Sequence, residues 1–286
     1  MARPAQVALV LLVFANGALL ATWRGAPVSP SLAALMVASV LVVLVASAAH
    51  LTNEAIDHAT DRLTERTPFS GGSGALEASG LEPALPLRVA GGASVAALTG
   101  AIMATATGWL APIAAVLLLV GLAGGVAYSL PPLAAMRRGL GEPLNALLGG
   151  LLLPLCGVAV VASELELLDI LAFAPFACAV FASVLATAWP DREADAATGK
   201  GTLQVRLARH TLRRIHMSAT IAFVATTVVA TVSGAMPLAW AGLAVLPALI
   251  VGTAGYTRRR SPLPNVAAMV GLALLTALGL GLALWA

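Results

Sequence analysis

The chain has 286 residues; 59% are hydrophobic, only 10% are charged, and the mean hydropathy is +0.94. Soluble domains carry about 25% charge and about 45–50% apolar residues, so a water-soluble globule is excluded, as is a disordered chain. The absence of Gly-X-Y or heptad repeats excludes collagen and coiled coil; despite a pI near 9.4 the chain is too apolar for a nucleic-acid partner. What remains is an all-α polytopic membrane protein, and the few charges become the informative residues.

A bilayer is crossed by about 20 apolar residues in a helix. The first such stretch is 5–23, preceded by Arg3. Its Ala-rich end mimics a signal-peptide cleavage site, but the many spans that follow favour an uncleaved first helix. Asn16, polar within it, is expected to make a helix–helix hydrogen bond. The second stretch, 31–52, runs without a helix breaker into Asn53, Asp57 and Asp61, so the helix is expected to continue through Asp61. The long polar segment 53–87 follows, with Arg62, Arg66 and the run Ser70-Gly71-Gly72-Ser73-Gly74.

Spans three and four, 88–108 and 110–130, are parted by a turn at Gly108-Trp109 before Pro112. Span five is 143–163. The loop after it carries Glu164, Glu166 and Asp169, read as solvated. Span six, 167–189, leads to Pro190 and then to Asp191-Arg192-Glu193-Ala194-Asp195 and Thr198-Gly199-Lys200-Gly201-Thr202. Spans 215–233, 236–255 and 264–285 complete a count of nine, the first two of them parted at Gly234 and Pro237. Cys156 and Cys178 lie inside apolar runs as packing residues. No appended soluble domain is visible, so 1–286 reads as a single transmembrane domain.

With nine spans, every Lys and Arg except Arg24 falls on one face, out of 16 in all. By the positive-inside rule that face is the cytoplasm. Arg206, Arg209, Arg213, Arg214 and the run Arg258 to Arg260 fit a role in topology and headgroup contact.

Residues four apart share a helix face, so Asn53, Asp57 and Asp61 form one row, and Asp191 and Asp195 another. Like charges so placed repel, and near hydrocarbon the cost is larger. A hard divalent cation compensates: Mg²⁺ takes one or two carboxylates together with waters and phosphate oxygens. Two facing acidic rows therefore read as a metal-bridged diphosphate site, with Lys200, Arg62 and Arg66 as charge-assisted phosphate donors. The competing reading is two solvated helix ends paired with Arg62 and Arg192. His50, His58, His210 and His216 make no metal set.

At this point the chain resembles the UbiA superfamily of membrane prenyltransferases. Asn53-x-x-x-Asp57-x-x-x-Asp61 is similar to that family's first aspartate-rich motif. Asp191-x-x-x-Asp195, followed by Gly199-Lys200, Thr202-Leu203 and Val205-Arg206-Leu207, is similar to its second. Tyr128-Ser129-Leu130-Pro131-Pro132, running to Arg138-Gly139-Leu140-Gly141-Glu142, resembles the loop after its fourth helix, and Arg3-Pro4 the entry to its first. The Gly-Gly-Ser-Gly run is most similar to the menaquinone branch, whose members prenylate dihydroxynaphthoate. Glu54 departs from the family's usual Asp, and Ala134 and Met136 stand where menaquinone-type proteins carry lysines, with Arg137 as a substitute.

The resemblance implies nine helices around a central cavity open sideways to lipid, and Mg²⁺-dependent transfer of a prenyl group from a prenyl diphosphate to a small aromatic acceptor. Asn53, Asp57, Asp61, Asp191 and Asp195 would hold the metal, the four aspartates acting as catalytic residues. Asn53, Arg66, Tyr128, Arg138 and Lys200 would bind substrate. The superfamily also contains terpene cyclases that use no aromatic acceptor, which is the alternative reading. A transporter would instead carry its polar residues near the midplane, which here is nearly bare.

Overall fold

The structure is a computed structural model and describes residues 4–26, 32–64, 67, 72–236 and 239–285. Arg3, Arg66, Ser70, Gly71 and Pro237, all singled out above, lie outside the described residues. Within them the chain is helical and contains no strand.

We number the principal helices α1 (Pro4–Trp23), α2 (Leu32–Asp61), α3 (Ala84–Ala106), α4 (Pro112–Ser129), α5 (Gly141–Ala162), α6 (Leu167–Ala188), α7 (Arg209–Val232), α8 (Ala239–Gly255) and α9 (Leu263–Trp285). Eight of the nine are long and apolar enough to cross a membrane; α8, with 17 residues, is shorter. The expected integral membrane architecture is therefore present. α2 does run on to Asp61, and its 30 residues make a rod of about 45 Å. That exceeds the hydrocarbon thickness of about 30 Å, so its last turns project from the apolar layer.

Neighbour contacts follow chain order and close: α1 on α2, α2 on α4, α4 on α5, and so on through α9, which returns to α1. α3 packs on α2 and α4, while α1 also crosses α5, and α9 crosses α6. Small residues permit the tightest crossing. A Cβ on Gly17 would stand 1.8 Å from the Pro154 carbonyl oxygen, and one on Gly157 would stand 2.0 Å from that of Phe14. Where helices associate in lipid, such glycines let backbones approach closely. Within α5, residues Ala146–Leu152 widen into a π-helical turn before Pro154; a proline cannot donate to that turn. Gly150 there presses on Ala177 of α6. Asn16 donates to the Ala273 carbonyl at 3.0 Å, the interhelical bond expected of it.

Two sets of contacts show which helix ends share a face. On one, the ends of α2, α4, α6 and α8 meet the start of α5 and the segment leading into α7, through Asn53 with Ser129, Thr60 with Thr198, Glu142 with Leu203, and Gln204 with Leu185 and Tyr256. On the other, Arg24 at the end of α1 pairs with Asp169 of α6 and donates to the Ala235 carbonyl at 2.7 Å. Asp169 thus corrects the reading of its loop as merely solvated. It is 3% exposed, and its side chain accepts the Glu166 backbone N–H in a capping box. A lone cation facing lipid-depth surroundings is costly unless paired, which accounts for the basic residue on this face having a buried acidic partner.

Candidate functional site

The first acidic row lies on the projecting last turns of α2, and the second on a short helix, Arg192–Ala197, between α6 and α7. The backbone of Asp195 donates to the Asp191 carbonyl at 2.8 Å, so these two residues stand one helical turn apart, as the spacing implied.

Local chemistry brings Lys200 back to the motif. Gly199 has φ +70°, a left-handed conformation open to glycine at little cost. Around it the N–H of Gly199 bonds the Ala196 carbonyl at 3.2 Å, and that of Lys200 bonds the Asp195 carbonyl at 2.8 Å. This is a Schellman C-cap. It reverses the chain so that the Lys200 side chain turns toward the acids. Its Nζ stands 2.8 Å from Asp57 Oδ2 on α2 and 3.6 Å from Asp195 Oδ1. One ammonium therefore bridges residues separated by nearly half of the chain. Thr60 and Thr198 share a hydrogen bond of 3.0 Å beside this contact, and Thr202 donates to Asp195 Oδ2 at 3.2 Å.

The cluster is buried: the side chains of Lys200, Asp57 and Asp195 are 12%, 10% and 3% exposed. Burial pushes the Asp195 carboxyl above the usual carboxylate range; Lys200 pulls it back and Asp57 raises it further. For Lys200, burial works to lower the pKa, but Asp57 and Asp195 more than reverse that, so the amine stays protonated. Asp57 Oδ1 and Glu142 Oε2 are buried with no hydrogen-bond partner among the described residues, and Asp195 Oδ1 has only its ion pair with Lys200. Orphaned carboxylate oxygens at such depth are rare without a cation or water to satisfy them.

Other expected residues fall in different places. Asn53 Oδ1 accepts from Ser129 Oγ at 3.3 Å, which ties the first motif to the end of α4. Tyr128, the preceding residue, lies within electrostatic reach of Lys200, Asp57, Glu142 and Asp195. Asp61 faces the glycine-rich segment: a Cβ on Gly72, whose φ is +67°, would stand 2.0 Å from Asp61 Oδ2. Ser73 in that segment donates to Glu54, so Glu54 is held there rather than toward the second motif. Asp191 precedes the short helix as its N-cap residue without capping it through its side chain. Arg138 is exposed, at the end of a single 3₁₀ turn. Among the described residues no three His, Cys, Asp or Glu side chains gather closely enough to share an ion. The convergent core is Asp57, Lys200 and Asp195, with Asn53 and Tyr128 beside it.

Some residues have roles at the site that the sequence reading did not assign. Glu142, at the start of α5, is 3% exposed and accepts the Leu203 N–H at 3.0 Å, pinning the second-motif loop to the bundle. An acidic residue opening an apolar span is a functional signal in itself, and it was available. Arg206, read for topology and headgroup contact, is exposed and also donates to the carbonyls of Gly201 at 2.7 Å and Arg137 at 3.3 Å, so it braces the same loop. Thr202 and Ser129 stand in segments that resemble the family's, but hydroxyls this common acquire a role only from what folds beside them.

The donor set suits a hard divalent cation. Mg²⁺ is held by one or two carboxylates, with the remaining positions filled by water and phosphate oxygens, and two carboxylates with unsatisfied oxygens face one another here.

Three comparisons bear on this arrangement. A family model described as the UbiA prenyltransferase family matches residues 10–278. No curated relative matches the chain significantly. Among solved structures, the apo form of a UbiA homologue from Aeropyrum pernix K1 is 18% identical and superposes with a TM-score of 0.70, covering 100% of this chain and 98% of that one. A UbiA homologue from Archaeoglobus fulgidus bound to GPP and Mg²⁺ is 16% identical with a TM-score of 0.67, covering 97% and 96%. A UbiA homologue from Archaeoglobus fulgidus bound to DMAPP and Mg²⁺ gives a TM-score of 0.60 at 16% identity, covering 97% and 96%.

Proposed function

The chain belongs to the UbiA prenyltransferase family, a family of membrane prenyltransferases, and from that premise we propose that it moves a prenyl group from a prenyl diphosphate to a small aromatic acceptor, of the kind that becomes a quinone. Mg²⁺ is the cofactor, and the chain acts as one domain over 1–286. The site opens toward the cytoplasm from the plasma membrane. The observation that carries this reading is the meeting of the two acidic motifs at Lys200. Support comes also from the fold shared with homologues that bind GPP or DMAPP with Mg²⁺.

Asp57 and Asp195 would hold the metal, and Asn53, Asp61 and Asp191 would bind it or the diphosphate alongside them. Bound there, Mg²⁺ supplies Lewis-acid neutralisation of the departing diphosphate. The chain's own residues do the rest. Lys200 exchanges its carboxylate partners for phosphate oxygens, and a donor already in place stabilises charge as it develops. Tyr128 orients the diphosphate through its hydroxyl, and Arg66 and Arg138 are further donors to it. Glu142 and Arg206 position the loop that carries Asp195 and Lys200. The allylic cation left by C–O cleavage is shielded from water by the apolar helices until an electron-rich aromatic carbon attacks and loses its proton.

The test is to incubate purified protein with Mg²⁺, prenyl diphosphates of several lengths and a panel of hydroxylated naphthoates and benzoates, and to identify products by mass spectrometry. A prenylated acceptor is expected. A cyclic hydrocarbon formed with diphosphate release and no acceptor would replace transfer by cyclisation.

A further inference from the structure

A second feature lies on the lipid-facing side of the bundle, apart from the acidic cluster. Between α6 and α7 runs an open groove of about 530 Å³. Its α7 wall includes Thr211, Arg214, Ala219 and Ala222, and its α6 wall includes Cys178 and Phe181. The α7 positions recur at helical spacing along one stripe. Beyond Ser218 the groove is apolar except at one end, where Arg214 and Thr211 stand near the start of α7, on the face that carries the bases.

The arginines at this helix start are not equivalent. Arg213 Nε donates to Thr257 Oγ1 at 2.6 Å, and the guanidinium of Arg209 lies 5.5 Å from the centre of the Trp189 ring. Arg214 is exposed and lines the groove instead. From Thr211 to Ala222 the helix rises about 16 Å, the depth of one leaflet's hydrocarbon, roughly half of a 30 Å core. A cation at the interface above an apolar slot one leaflet deep matches the two ends of a phospholipid: an anionic head and an acyl chain.

We propose that the α6–α7 groove is a site for an anionic diacyl phospholipid. The phosphate pairs with Arg214 and accepts from the Thr211 hydroxyl, and one acyl chain lies along Phe181, Cys178, Ala219 and Ala222. The lipid thereby clasps the two helices whose connection, residues 189–208, carries Asp191, Asp195 and Lys200. Occupancy depends on the groove and not on the chemistry proposed for the site.

The experiment uses the full chain in nanodiscs of phosphatidylglycerol or phosphatidylcholine with matched acyl chains, released into detergent and weighed by native mass spectrometry. One retained phosphatidylglycerol per chain is expected, in preference to phosphatidylcholine. Arg214→Gln lowers its retention about fivefold, the worth of one basic residue near anionic headgroups. Arg214→Lys keeps most of it. Ser218→Trp, which places a ring in the groove from an exposed position, displaces either lipid. Arg88→Gln, on α3 and outside the groove lining, changes nothing. Thermal unfolding of each variant checks that it is folded; should Ser218→Trp not fold, the Gln and Lys variants still decide the matter. Equal retention of the two lipids, or undiminished retention by Arg214→Gln, overturns the proposal. Displacement of the lipid by added geranyl diphosphate overturns it too, since the groove would then be a second diphosphate site.

Discussion

Replacing Lys200 by Met keeps the length of the side chain and removes its charge. The ammonium now stands between two carboxylates whose side chains are 10% and 3% exposed. Taking one partner from a buried ion pair costs about 3–5 kcal/mol, because the remaining charge is left without compensation. Two carboxylates would here be left facing each other, which favours the upper end of that range. Protonation of Asp195, already held above the usual carboxylate range, relieves part of the cost, so about 3 kcal/mol is the expected net loss. For a chain of this size 1 kcal/mol moves the unfolding midpoint by roughly 2 °C, which gives a drop of about 6 °C. Mg²⁺ should reverse it. An ion at 100 times its dissociation constant adds about 2.7 kcal/mol, and in the variant it takes a place that no ammonium contests. In the wild type the ion must first displace Lys200, so its stabilisation is smaller. The assay is thermal unfolding in detergent with and without millimolar Mg²⁺, comparing Lys200→Met with Lys200→Arg, which retains the charge. The reasoning fails if Lys200→Met unfolds within about 1 °C of wild type in both conditions.

Four further outcomes are expected. Asp57→Asn and Asp195→Asn should each lower turnover at least a hundredfold, in line with the loss of a key electrostatic group, while Arg88→Gln leaves it unchanged; product formation under saturating Mg²⁺ reads this. Gly199→Ala should cost about 1 kcal/mol from the left-handed backbone alone, since the space around that glycine is open, and Gly199→Asn should cost less; denaturant or thermal unfolding distinguishes the two. Gly17→Leu or Gly157→Leu should prevent the α1–α5 crossing, with a loss beyond the 1–3 kcal/mol typical of overpacking, because the contacted atoms are backbone; the yield of monodisperse protein after detergent extraction reports it. Finally, a raised Asp195 pKa means that this carboxylate gains its proton at a higher pH than an ordinary aspartate near 3.9. Metal binding needs the deprotonated form, so Mn²⁺ affinity without substrate, followed by electron paramagnetic resonance, should weaken as pH falls while ordinary carboxylates are still ionised.

Much of the helical frame was legible because hydropathy is a local property. The continuation of α2 to Asp61 followed from the lack of a breaker, and the face shared by Asn53, Asp57 and Asp61 followed from helical period. The same holds for Asp191 and Asp195, whose one-turn spacing recurs in the backbone hydrogen bonds. Even the segregation of bases onto one face is a count along the chain, and Arg24, its exception, turned out to have its own buried acid on the opposite face.

Spacing along a helix says which residues align, but not what stands opposite them. That Asp57 and Asp195 meet across one ammonium depends on the Schellman turn at Gly199 and on the contact between Thr60 and Thr198. That Glu54 and Asp61 turn to the glycine-rich segment instead, although they belong to the same motif, depends on where residues 72–74 fold. Glu142 and Arg206 became positioning residues because distant backbone groups came within hydrogen-bond range of them. The membrane environment, the helices and the two acidic rows can be read along the chain, since each arises from periodicity over a few turns. Which of the acids face a common cation depends instead on contacts between residues more than a hundred positions apart, for which local pattern carries no information.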